Sequence, residues 1–191
     1  HICGGVLIAP NWILTAAHCL NNADGARRPG YRVRLGVIDF ARENGWTYMI
    51  DRVVRHPLYV DPAPGAPPRT RYDIALVRFV RDGQTRAGNP PREMVAPIAL
   101  DDRTPPPHGE PVFATGWGVM EGQRPTSVMM KVDLQVVEEG RCADMWGARR
   151  NPTVICAGAP RRQTCQGDSG GPLVNARGEP RLIGVVSYNL I

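Results

Sequence analysis

The run Gly167-Asp168-Ser169-Gly170-Gly171-Pro172 sets a serine among three glycines. Glycine lets the backbone come close to a bound molecule and turn its N–H groups inward. Gly167 N–H and Ser169 N–H can then converge on a developing oxyanion. A hydroxyl nucleophile also needs a base, and the base needs a group to orient it. Two upstream segments offer these. Leu14-Thr15-Ala16-Ala17-His18-Cys19 carries an imidazole among small residues, and Asp73-Ile74-Ala75-Leu76-Val77 opens an apolar strand with a carboxylate. A carboxylate so placed is partly buried and must be paired or hydrogen-bonded; an imidazole N–H is one such partner. Each segment alone has a plainer reading, His18 as a core histidine and the glycine-rich run as an ordinary turn. Together, in that chain order, they point to acyl transfer with Ser169 as nucleophile, His18 as base and Asp73 as orienter.

These groups must be held by something, and the chain reads as strands. Strand-like runs at Gly5 to Ile8, Tyr31 to Ile38, Ile74 to Val80, Val112 to Thr115, Lys131 to Val137 and Leu182 to Tyr188 are bounded by Gly, Pro, Asn and Asp. Those residues supply the backbone angles of turns. With 21 Gly and 19 Pro, long helices have little room, so an all-β barrel or sandwich is expected. The Pro-rich stretches Asp61 to Pro68 and Thr104 to Pro107 read as surface loops. The second of them is a natural link between two halves.

The 191 residues suffice for one large domain or two small ones. No apolar run is long enough to span a membrane. The net charge of +5 is almost all arginine, with Lys131 the single lysine. The arginines are scattered with few aromatics between them, which argues for solvated surface charge and against nucleic acid as partner. The cysteines Cys3, Cys19, Cys142, Cys156 and Cys165 contain no C-x-x-C pair, which weighs against a zinc ribbon or a dithiol redox site.

The chain resembles the chymotrypsin/trypsin family of serine proteases. The resemblance rests on His1-Ile2-Cys3-Gly4-Gly5, Ala16-Ala17-His18-Cys19, His56-Pro57-Leu58-Tyr59, Asp73-Ile74-Ala75-Leu76, Ala114-Thr115-Gly116-Trp117-Gly118, the Gly167 to Pro172 run and Val185-Val186-Ser187-Tyr188, in family order along the whole chain. It implies two six-stranded antiparallel barrels, about 1–103 and 104–191, with the active site in the cleft between them. It implies a serine endopeptidase acting on protein or peptide substrates through an acyl-enzyme, with His18, Asp73 and Ser169 as the catalytic triad and Gly167 and Ser169 as the oxyanion hole. It also implies bridges Cys3–Cys19 and Cys142–Cys156, hence a secreted or periplasmic home. A catalytically silent homologue that acts as a binding protein is the alternative, and such relatives usually lack a triad member. No cofactor is implied. Nor is a metal, because Val37 stands where some members open a calcium loop with an acid.

Several positions depart from the family pattern. Its N-terminal segment before His1 and its final strand and helix after Ile191 fall outside this chain, and so would the family's partner for Cys165. The resemblance casts Asp168 as the acid that pairs with an α-amino group freed by an activating protease. Substrate contacts are expected from Gln163, Gln166, Ser187, Tyr188 and Asn189. Gln163 takes the place at the pocket base where arginine- and lysine-specific members carry an aspartate. Asn189 takes the place of a glycine and is expected to narrow the pocket mouth. Both favour a small or polar neutral side chain before the scissile bond. His56 and His108 are expected to be surface residues without function.

Overall fold

The structure is a computed structural model that describes residues 2–20, 30–62, 71–81, 90–91, 93–103, 106–120, 126–146 and 153–189. Two short strands, β1 (Val6–Ala9) and β2 (Trp12–Thr15), pair antiparallel, and a 3₁₀ turn, Ala17–Leu20, follows directly. β2 then pairs with β5 (Ala75–Arg81), β5 with β4 (Trp46–Arg55), and β4 with β3 (Arg32–Leu35), to give a five-stranded sheet in the order β1-β2-β5-β4-β3. His18 thus lies in the turn just after β2, and Asp73 stands two residues before the start of β5, its neighbour.

The longest strand shows why that sheet curls. In β4, Trp46, Tyr48 and Ile50 are buried, and then the buried position moves to Val53. The phase changes at an irregularity in the pairing with β5 between Ile50 and Arg52. One extra residue at such a bulge bends the strand and returns its apolar side chains to the inner face. The displaced Asp51 accepts from Arg78 Nε on β5 at 2.7 Å. Tyr48 and Phe79 meet inside, ring centroids 4.8 Å apart, in a core that includes Ile13, Trp46, Ile50, Val53, Tyr59 and Val77.

The second sheet runs β6-β11-β10-β7-β8-β9. Its members are β6 (Ala99–Leu100), β7 (Pro111–Gly116), β8 (Met130–Val136), β9 (Ala157–Gly158), β10 (Pro172–Asn175) and β11 (Arg181–Val185). In β7 the alternation is regular, Val112 and Ala114 inward. Among the described residues the one α-helix, α1 (Glu139–Trp146), carries Cys142.

Two strand sheets with almost no helix match the expected fold class, with two differences of detail. The first sheet has five strands among the described residues. β6 lies before residue 104 yet pairs with β11, and that pair is parallel. By hydrogen bonding, the chain therefore changes sheet between β5 and β6. Most of the Asp61 to Pro68 loop lies outside the described residues, as do Thr104 and Pro105.

Candidate active site

His18 and Asp73 meet because β2 and β5 are hydrogen-bonded neighbours, with Thr15 opposite Ala75. The chain turns out of β2 at one end and enters β5 at the same end. His18 N–H donates to Asp73 Oδ1 at 2.9 Å, and His18 Nδ1 lies 2.7 Å from Asp73 Oδ2. With the carboxylate charged, Nδ1 carries the proton and Nε2 is left as the basic nitrogen. Ser187 Oγ also donates to Asp73 Oδ2. Burial is the largest influence on this carboxyl and pushes its pKa up. The bonds from His18 and Ser187 and the His18 charge outweigh it and hold the pKa below the ordinary value.

Ser169 arrives from the second sheet. Its segment runs straight into β10 and is tied on both sides. Gly4 N–H donates to Ser169 O at 2.7 Å, Gly170 N–H to Val186 O at 2.7 Å and Val186 N–H to Gly171 O at 2.8 Å. Thr15, at the end of β2, donates through Oγ1 to Gly4 O at 2.9 Å. Gly170 has φ of 78°, and a Cβ there would lie 2.1 Å from Thr15 Oγ1 and 2.5 Å from Gly4 O. No other residue type fits that approach, which brings the serine segment against the strand that leads to His18. Gly167 also has positive φ, 97°, as the sharp turn before Ser169 requires.

Asp168 points the other way. Its Oδ1 accepts from Gly118 N–H and its Oδ2 from Cys165 N–H, both at 2.8 Å. Val119 N–H donates to Gln166 O at 2.8 Å. One carboxylate thus pins both the Trp117-Gly118 turn and the loop that leads to Ser169.

The matching family model, described as Trypsin, covers residues 1–190. The chain belongs to the trypsin family. It is 34% identical to human granzyme M over 93% of this chain and 65% of that protein. It is 32% identical to mouse ovochymase-2 over 100% of this chain and 31% of that protein, so it spans under two thirds of either relative. Among solved structures, neuropsin, a serine protease of mouse brain, superposes with a TM-score of 0.79 at 27% identity, covering 98% of this chain and 76% of that one.

As expected from the trypsin-family resemblance, Cys3 is bonded to Cys19 and Cys142 to Cys156; Cys165 is a free thiol. The first bridge abuts His18, with Cys19 Sγ 3.9 Å from Nε2. Cys3, His18 and Cys19 are close enough together to suggest a metal site, but the bridge leaves neither sulfur as a thiolate, the form that binds metal. Gln163 is exposed in the described structure. Asn189 is turned onto Thr164, which donates through Oγ1 to Asn189 Oδ1 at 2.6 Å, while Asn189 Nδ2 donates to Thr164 O at 2.7 Å. The pairing uses the amide group that was expected to narrow the mouth. Ser187, expected as a substrate contact, directs its hydroxyl at Asp73. Gln166 is exposed, and Tyr188 is half-buried beside Asn189, its phenol pKa raised by burial first and the Asp73 charge second. His108 is exposed, whereas His56 is half-buried and stacked on Tyr72, a contact that its sequence setting did not signal.

Proposed function

We propose that this chain is the catalytic domain of a serine endopeptidase, made as a zymogen and acting outside the cytoplasm. The observation that carries the proposal is the bond from His18 Nδ1 to a buried Asp73 Oδ2. It fixes the proton on Nδ1 and so makes Nε2 the acceptor nitrogen of the ring.

In the proposed reaction His18 Nε2 takes the Ser169 hydroxyl proton as Oγ attacks the scissile carbonyl. The electron pair moves to the carbonyl oxygen, and Gly167 N–H and Ser169 N–H stabilise the oxyanion. Collapse breaks the C–N bond, and His18 gives its proton to the departing amine. Water, deprotonated by His18, then cleaves the acyl-Ser169 ester and restores the enzyme. Asp73 keeps the imidazole in the required tautomer and stabilises its protonated form. Asp168 receives the α-amino group released by the activating protease. Gln163 brings no anion to the substrate, which supports preference for a neutral side chain before the scissile bond.

The test is a fluorophosphonate probe applied to the activated full-length protein, with the labelled peptide mapped by mass spectrometry. Label on Ser169, and loss of about six orders of magnitude in turnover in Ser169→Ala, are expected. Unlabelled Ser169 in active protein would overturn the assignment.

A further inference from the structure

Tyr72, the residue before Asp73, has φ of 58°. Bulky residues rarely occupy that left-handed region and persist there only where surrounding contacts impose it. Three contacts do so here. The Tyr72 ring stacks on His56, with centroids 4.5 Å apart and planes within 8°. Tyr72 N–H donates to Thr153 Oγ1 at 3.3 Å. Tyr72 O accepts from Ile74 N–H at 2.7 Å, which closes a three-residue turn with Asp73 at its apex.

His56 holds the other side of the same turn. Its N–H donates to Ile74 O at 3.0 Å, and its Nδ1 accepts from Leu58 N–H at 3.2 Å. The residues on both sides of Asp73 are therefore clamped by one histidine, one through its ring and one through its amide. The apex carboxylate has little freedom left except to face His18 and Ser187.

We propose that the Tyr72–His56 stack is a positioning clamp for Asp73. It rests on the catalytic roles proposed above. Neither residue touches the reacting atoms; both act through the direction of the Asp73 carboxylate. Misplacing a catalytic group by about 1 Å costs on the order of 10²-fold in rate, so a loosened turn has a measurable consequence.

The test uses Tyr72→Ala, Tyr72→Asn, Tyr72→Phe and His56→Ala in the activated full-length protein. Asparagine tolerates the left-handed backbone but cannot replace the ring stack, so it separates the two causes. We expect Tyr72→Ala, Tyr72→Asn and His56→Ala each to lower kcat about 10- to 100-fold with KM little changed. Tyr72→Phe should keep parental kcat. The low-field proton resonance of His18 Nδ1–H should move upfield or broaden in the same three variants and not in Tyr72→Phe. Tyr72→Asn or His56→Ala with parental kcat and resonance would overturn the clamp, as would equal losses in all four. Should the parent show the resonance yet cleave nothing, the peptidase reading falls and the resonance series alone decides the clamp.

Discussion

The Asp73 carboxylate accepts from two side chains and one amide, and each contact is open to a separate test. Removing the Ser187 hydroxyl deletes a bond to a charged group, which contributes about 1.5–3 kcal/mol. Because the Asp73 pKa is held below its unfolded value, near 3.9, its contribution to stability is complete above that value. It is lost as pH falls through the lower folded pKa. Ser187→Ala should therefore melt earlier than the parent at pH 6, and the gap should narrow as pH falls below about 4. Thermal melts across that range check this; a gap independent of pH would mean that Ser187 acts by packing alone. Asp73→Asn should cost about four orders of magnitude in kcat, since the amide stabilises the wrong tautomer. The His18, Asp73 and Ser169 segments were legible in the sequence only as a set, since each alone has a plainer reading and their shared chain order decides between them. The Ser187 bond was not, because 114 residues separate donor from acceptor. Nor was the Asn189–Thr164 pairing, which depends on how two loops fold past each other.

At the level of elements, alternation or a short apolar run announced β1, β3, β5, β7, β8 and β11. β4 escaped because its bulge moves the buried positions from even to odd numbers, which blurs a period of two. The helix α1 has eight residues, too few for its periodicity to stand out. The junction between β2 and the Ser169 segment makes a sharp prediction. Ala at position 170 would need both a left-handed backbone and room that Thr15 and Gly4 occupy. Gly170→Ala should cost roughly 2–4 kcal/mol, strain and overpacking together, and lower activity as well. Gly178 has φ of 72° but nothing within 4 Å of the place a methyl would take, so Gly178→Ala should cost only about 1–2 kcal/mol and spare activity. Urea unfolding of the pair measures the difference. Equal shifts would show that close packing at Gly170 contributes nothing.

Across the whole molecule, the two sheets hold different parts of the candidate site, and neither disulfide joins them. Cys3–Cys19 closes on the first sheet's side and Cys142–Cys156 on the second's. The seam is apolar. Val6 of β1 packs with Val174 of β10 and Leu182 of β11, flanked by Ile8, Leu14, Ile98, Phe113 and Val185. Ile98 N–H adds a bond to Leu7 O at 3.0 Å. Each sheet also has a core of its own, so the seam is the apolar contact through which their unfolding should be coupled. Leu182 is 3% exposed, and cutting it to alanine removes buried contact from both sides, at about 2–5 kcal/mol. Val112, fully buried in the second sheet's own core, is the control. Leu182→Ala should split the calorimetric transition in two, or lower the van't Hoff enthalpy below the calorimetric one. Val112→Ala should lower Tm with the two enthalpies still equal. The same loosening should reach the site, because Ser169 is bonded to Gly4 across this seam. Leu182→Ala should therefore lose kcat at temperatures where both sheets remain folded. A single sharp transition with undiminished kcat would place the coupling elsewhere, in the Gly4, Thr15 and Gly170 contacts.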